Sequence, residues 1–136
     1  MSALVIIPCG AAKRDYACQA HEMYVGTYFK ACLRWALSAT TPDRVLILSA
    51  KYGLLPLQQQ IEPYDVTFGR DSSVTVDEVR RQATAMGLRA ETKVLVAAGK
   101  RYVAMVQAVW PTARNVLDGK GGMGHQISWL TKEATK

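Results

Sequence analysis

Leu46-Ile-Leu-Ser-Ala-Lys-Tyr-Gly-Leu-Leu-Pro56 begins as a buried strand and ends as something polar. The apolar run Val45 to Leu48 passes without a gap into Ser49, Lys51, Tyr52 and Gly53, the pattern of a core strand opening into a loop that handles a polar ligand. The loop is expected to continue through Ile61-Glu-Pro-Tyr-Asp-Val-Thr-Phe-Gly69, where Pro63 fixes its own φ and biases Glu62 toward extended backbone. A connection this long in a chain of 136 residues is commonly functional. It gathers two carboxylates, Glu62 and Asp65, two phenols, Tyr52 and Tyr64, and Lys51 on stiffened, non-helical backbone.

Working outward, Leu4-Val-Ile-Ile-Pro8 is a continuous apolar run of the kind that forms a central strand covered on both faces, and Pro8-Cys9-Gly10 ends it in a turn. Thr27 is placed to cap a helix in which Phe29, Cys32, Leu33, Ala36 and Leu37 share one face and Lys30 and Arg34 the other. Pro42-Asp43 then turns the chain into the strand Arg44 to Leu48. Beyond the polar loop, Thr75-Val-Asp-Glu78 is a capping box. It opens a helix with Val79, Ala83 and Met86 buried, which Gly87 ends. Lys93 to Ala98 is the next strand, and Gly99-Lys100-Arg101 leads into a helix with Tyr102, Val103, Val106, Val109 and Trp110 on one side, stopped by Pro111. Arg114 to Leu117 reads as a short fourth strand, followed by Asp118-Gly-Lys-Gly-Gly122 and a last helix presenting Met123, Ile127 and Leu130.

Strands alternating with helices at this spacing predict parallel βαβ units: one α/β domain over residues 1–136, a three-layer α/β/α sandwich on about four parallel strands. Ligands of such sheets bind beyond the carboxyl ends of the strands. Each predicted strand ends there in glycine or polar residues, so the segments after Pro8, Leu48, Ala98 and Leu117 converge on one edge.

Composition excludes several classes. Hydrophobic content of 49% with 21% charge is that of a globular protein, neither disordered nor fibrous. No apolar window approaches a membrane span, and Leu4 to Pro8 is too short for a signal-peptide core, so a cytoplasmic protein is expected. The cysteines Cys9, Cys18 and Cys32 form no C-x-x-C pair, so neither a disulfide framework nor a zinc site is predicted, and no cofactor is expected. The net charge of +6 is lopsided: residues 1–68 hold six Lys/Arg against five Asp/Glu, residues 69–136 eleven against six. The second half thus offers either a basic face for phosphate backbone or only a solvated surface.

Pro8-Cys-Gly-Ala-Ala-Lys13 could hold an anion on backbone N–H groups and the lysine, yet it lacks Walker A spacing, which disfavours ATP hydrolysis. By itself Cys9 reads as a small buried filler, since neither His21 nor His125 can be set beside it as an activating partner. Gly119-Lys-Gly-Gly-Met-Gly-His125 lets a ligand approach the backbone at a helix start, or packs closely on a neighbouring loop. Glu62 and Asp65 suit acid/base or nucleophilic work if desolvated; otherwise Asp65 caps a turn and Glu62 pairs with Lys51 or an arginine. Tyr52 and Tyr64 either stack on a base or cover the core rim.

Taken together, Leu-Ser-Ala-Lys-Tyr-Gly-Leu-Leu, Ile61-Glu-Pro-Tyr-Asp65, Pro8-Cys-Gly10 and Met23-Tyr-Val-Gly-Thr-Tyr-Phe29 resemble a domain of unknown function common in phages and bacteria, over Ile6 to Leu130. Lys51-Tyr-Gly-Leu-Leu to Glu62-Pro-Tyr64 also looks like the Y-G-x-L-x-P and Q-P-Y elements of the YaaA peroxide-stress proteins, which bind DNA. Pro8-Cys-x-x-x-Lys13 is similar to the P-C-S-x-x-K-P-Y motif of archaeosine synthase, a relative of the tRNA-guanine transglycosylases. Gly10 stands in place of that motif's serine and Arg14 in place of its proline, so archaeosine synthase chemistry itself is not implied. The inferred layers are compatible with a uracil-DNA-glycosylase-like or YaaA-like fold.

What these resemblances share is a nucleic acid or nucleobase ligand. The resulting expectation is an enzyme that cleaves or exchanges at the N-glycosidic bond of a base in DNA or tRNA. The alternatives are a non-catalytic DNA-binding or nucleotide-sensing module and a small-nucleotide hydrolase or transferase. Glu62, Asp65 and Lys51 are the expected chemistry-bearing residues. Cys9, Gly10, Lys13, Tyr24, Ser49, Tyr52, Gly53, Tyr64, Gly99, Lys100, Gly121, Gly122 and His125 are the expected substrate-binding set, and Arg80, Arg81, Lys100 and Arg101 the expected contacts to a phosphate backbone.

Overall fold

Five consecutive apolar side chains cannot all face one way in a strand, so Leu4–Pro8 (β1) needs cover on both sides, and it has it. In the computed structural model, which describes residues 2–70 and 72–136, Val5 and Ile7 pack in one core and Leu4 and Ile6 in another. Val45–Ser49 (β3) divides in the same way: Val45 and Ile47 join the first core, Leu46 and Leu48 the second. The remaining strands are Cys18–Gln19 (β2), Gly53–Pro56 (β4), Gln60–Ile61 (β5), Val94–Val96 (β6) and Arg114–Asn115 (β7). The main sheet has the order β4-β3-β1-β6-β7, and β2 pairs with β5 in a separate antiparallel ribbon. β3, β1, β6 and β7 are parallel; β4 is antiparallel to β3.

The helices are Ala20–Met23 (α1), Thr27–Ala39 (α2), Val76–Ala85 (α3), Lys100–Val109 (α4) and Met123–Ala134 (α5), with a 3₁₀ turn at Pro42–Arg44. Phe29, Cys32, Trp35 and Ala36 of α2 and Leu130 of α5 close the first core, whereas Val79 and Ala83 of α3 and Val103, Val106 and Val109 of α4 close the second. The result is an α/β protein with helices on both faces of a mostly parallel five-stranded sheet. Among the described residues, no helix is long and apolar enough to cross a membrane.

Several expectations need correction. The polar loop does not run on from Ser49: Ala50 to Tyr52 form a tight turn, and Gly53, at φ +76°, reverses the chain into β4. A side chain there would adopt a left-handed conformation and run into Gln82. Leu54 and Leu55 then face opposite cores, and Pro56, which has no N–H to donate, sits on an edge strand that can spare one. The sheet therefore has a fifth, antiparallel strand beyond the four expected. Thr27 is not a cap; it is the first residue of α2, behind Gly26, and makes no capping bond. Leu37, Met86 and Met123, expected on buried stripes, are exposed. The capping box does form, with Thr75 Oγ1 accepting from Glu78 N at 3.2 Å and Glu78 Oε1 from Thr75 N at 3.0 Å.

Topology places the crevice. From β1 the chain crosses through α2 to β3 on one side, whereas β6 lies on the other side of β1 and continues outward to β7. The loops that leave β1 and β6 therefore part at their carboxyl ends, and a hollow opens between them.

Candidate functional site

That hollow is a cavity of about 640 Å³. Pro8 to Ala11 after β1 form its floor, Gly26 to Phe29 and Gly99 bring in the starts of α2 and α4, and Met123, Gln126 and Ile127 bring in the start of α5. Gly26, Gly99 and Gly122 are the N-caps of these three helices, and none has a side-chain capping bond, so N–H groups at positive dipole ends face this region uncapped. A smaller cleft of about 140 Å³ shares Cys9, Gly10, Ala11 and Tyr102 with it and adds Lys13, Asp65, Val66, Thr67 and Phe68. Cys9 and Tyr102 meet where the two hollows join, with Sγ and the phenol oxygen 3.3 Å apart. The Tyr102 ring stacks on Phe68 at 4.4 Å between centroids, and Arg101 Nη1 donates to Phe68 O at 3.2 Å, so the 65–68 segment is pinned to the start of α4.

Behind the cleft lies a chain of hydroxyls. Ser49 Oγ accepts from the backbone N–H groups of Lys51 (3.2 Å) and Tyr52 (3.0 Å) and donates to the Tyr64 oxygen at 2.8 Å. Tyr64 and Tyr24 share one further hydrogen bond at 2.6 Å. Tyr52 meets Tyr64 edge-on at 5.5 Å and donates to Glu62 O at 3.3 Å, while Lys13 Nζ sits 4.5 Å above the Tyr64 ring. Burial pushes the Tyr24 phenol up to about 12, and raises Tyr64 and Tyr102 further, with Cys9 as the next cause for both. These phenols stay neutral, and therefore donors, at physiological pH.

The structure brings Cys9, Gly10, Lys13, Asp65, Tyr64 and Gly99 to this edge, sets Lys100, Arg101, Gly121, Gly122 and His125 beside them at the starts of α4 and α5, and separates others from it. Tyr24 and Ser49, 2% and 0% exposed, support the cleft from behind and cannot stack on a ligand. Gly53 serves the β3–β4 turn. Glu62 is exposed, lines neither hollow and engages Tyr52 only through its backbone carbonyl. Lys51 is exposed at the turn, 5.2 Å from the Tyr52 ring, and Lys100 and Arg101 are exposed at the start of α4. Gly121, at φ +88°, packs against exposed His125, with Gly122 next to it. Arg80 and Arg81 lie mid-way along α3; Arg80 pairs with Asp77 at 2.8 Å and reaches Ala108 O near the far end of α4 at 3.2 Å.

Sequence reasoning missed Tyr28, Phe68, Tyr102 and Gln126. The helical pattern puts Tyr102 on a packing face; its place in the first turn after a strand end is the signal that marks it out. Tyr28 and Gln126 carried no such signal, because their importance depends on α2 and α5 meeting.

The model of a family described as "Family of unknown function (DUF6884)" matches residues 4–132. A relative, "Uncharacterized protein YfjM" of Bacillus subtilis (strain 168), is 32% identical over 149 residues, covering 97% of this chain and 95% of the relative. No solved structure matches the chain significantly.

Proposed function

The chain belongs to this family of unknown function, DUF6884, and we propose that its carboxyl-edge crevice takes a nucleotide of DNA or tRNA and acts at the N-glycosidic bond. The observation that carries the proposal is the junction of two unlike hollows at Cys9 and Tyr102: a mainly apolar cavity of about 640 Å³, ample for a base, and a polar cleft of about 140 Å³ with Lys13 and Asp65. The uncapped starts of α2, α4 and α5 and the Lys13 ammonium suit a phosphate.

Breaking the bond builds positive charge on the sugar. Asp65, exposed like Glu62 but lining the smaller cleft, is then the carboxylate to stabilise it, to attack the anomeric carbon or to activate water, in preference to Glu62, which lines neither hollow. In hydrolysis, water supplies hydroxide to the sugar and a proton to the departing base. A neutral Tyr102 phenol at the junction is suited to steady that base by donating a hydrogen bond.

The test is incubation with oligonucleotides carrying a broad panel of modified bases, assayed for abasic sites and for base exchange. Release or exchange of at least one base is expected; intact glycosidic bonds throughout would overturn the catalytic reading. A second reading, a DNA-binding module without catalysis, is favoured by the exposure of Lys51, Lys100 and Arg101. It requires binding that weakens steeply with salt and survives Asp65→Asn.

A further inference from the structure

Among the described residues, Gln126 is the one amide side chain on the wall of the larger cavity, and its orientation is fixed by what it touches. Its Nε2 lies 2.9 Å from Gly121 O, a carbonyl that can only accept, so the NH₂ must face that side. The Oε1 is thereby turned to Tyr28, whose phenol donates to it at 2.7 Å. Both anchors are structural in origin. Gly121 aims its carbonyl from a left-handed conformation at φ +88°, and Tyr28 stands in the first turn of α2, opposite the first turn of α5. A primary amide has two N–H donors and two oxygen lone pairs, and these contacts use one of each. One donor and one acceptor therefore remain on a carboxamide that cannot flip, in a mainly apolar wall whose other polar side chains are Cys9, Thr27, Tyr28 and Tyr102.

We propose that Gln126 reads the edge of the base in this cavity by pairing with an adjacent donor and acceptor, and that Tyr28 is the positioning residue that holds it in register. The inference rests on the nucleobase reading of the cavity and extends it by naming the group that discriminates between bases. An amide or amidine edge, such as the N1–N6 edge of adenine or the N3–O4 edge of uracil, matches a carboxamide with two hydrogen bonds. A base lacking that edge leaves both remaining groups of Gln126 without partners in a mainly apolar surrounding.

The experiment measures binding of the four 5′-ribonucleoside monophosphates and of purine riboside 5′-monophosphate, which lacks the amino or keto group, to the wild-type chain and to Gln126→Leu, Gln126→Glu and Tyr28→Phe. Thermal melts accompany each variant. The wild type is expected to prefer one natural base over purine riboside monophosphate by about ten- to hundredfold, the range for one or two hydrogen bonds in a half-buried site. Gln126→Leu should abolish that preference. Gln126→Glu, which offers acceptors only, should reorder the bases toward those presenting an amino group, and Tyr28→Phe should blunt the preference by roughly three- to tenfold while binding persists. If Gln126→Leu and Gln126→Glu melt lower but rank the ligands as the wild type does, Gln126 merely joins α2 to α5 and the inference fails alone. If the wild type binds none of the monophosphates at millimolar concentration and no single-stranded oligonucleotide, the nucleobase reading fails and takes the inference with it.

Discussion

Two hollows of nearly equal volume lie at opposite ends of the parallel strands: about 660 Å³ beside the start of β3, and about 640 Å³ beyond the ends of β1 and β6. The first is lined by Leu33 and Leu37 from α2, by Pro42, Val45, Pro56 and Leu57, and by the polar groups of His21, Asp43 and Gln58. The second receives the uncapped starts of three helices, a fixed carboxamide and the Cys9–Tyr102 contact. Volume does not separate them; chain direction does. A helix that follows a parallel strand runs back antiparallel to it and so starts at the carboxyl edge, where donors and positive dipole ends collect.

The sharpest way to break this comparison is to change one carboxylate at each end. Asp65→Asn at the carboxyl edge should lower turnover of any base substrate by about two to four orders of magnitude, the worth of a positioned acid–base or nucleophilic group. Asp43→Asn at the amino end should leave turnover unchanged. Steady-state rates on the same oligonucleotide, with thermal melts as the control for folding, decide the matter; equal losses, or none at Asp65, would remove the functional distinction between the two ends.

The parts of this arrangement that could be read from sequence are those fixed by local pattern. Leu4 to Ile7 and Val45 to Leu48 are apolar without interruption, which only a strand covered on both faces requires, and the Thr75–Glu78 capping box is complete within four residues. β4 was hidden because Leu54 and Leu55 are too short a run to show alternation, and the turn before it depends on a left-handed Gly53 closed over Gln82. Ser49, Tyr24 and Tyr64 were all singled out, but as ligand-facing groups. The burial of Ser49 and Tyr24 behind a half-buried Tyr64 arises from contacts across 40 residues, between Tyr24 and Tyr64, that no spacing rule encodes.

That hydroxyl chain supplies the next largest effect. Tyr64→Phe removes the acceptor of the buried Ser49 hydroxyl and the partner of the buried Tyr24 hydroxyl. Stranding them should cost about 1–3 kcal/mol. The urea midpoint should fall with the m-value unchanged. A shift below about 0.5 kcal/mol would mean that the network supports nothing at this edge. The same burial makes stability pH-dependent. The Tyr24 phenol ordinarily titrates near 10 and is pushed up to about 12, so between these values the folded chain holds a proton that the unfolded chain has lost. Its contribution is complete below pH 10 and declines as pH rises toward 12. Tyr24→Phe should make the alkaline decline shallower in a series of urea titrations; an unchanged slope would show that Tyr24 is not shielded from solvent.

The smallest expected effect belongs to the amino-end hollow, and it tests the comparison from the opposite side. Leu37 lines that hollow from the second half of α2 and is 43% exposed, so it contributes little buried apolar area to lose. Leu37→Ser costs a fraction of a helix-propensity difference and makes the hollow more polar without touching β1, β6 or their loops. Stability should change by no more than about 0.5 kcal/mol, as for substitutions away from the core. The affinity for nucleoside monophosphates should not change, because none of the uncapped helix starts, Lys13, Asp65 or Gln126 lies on that side. Urea unfolding checks the first statement and titration calorimetry the second, each with Leu37→Ser beside the wild type. A lost or weakened ligand response in a variant that still melts normally would show that apolar volume, rather than the direction of the strands, selects the binding end.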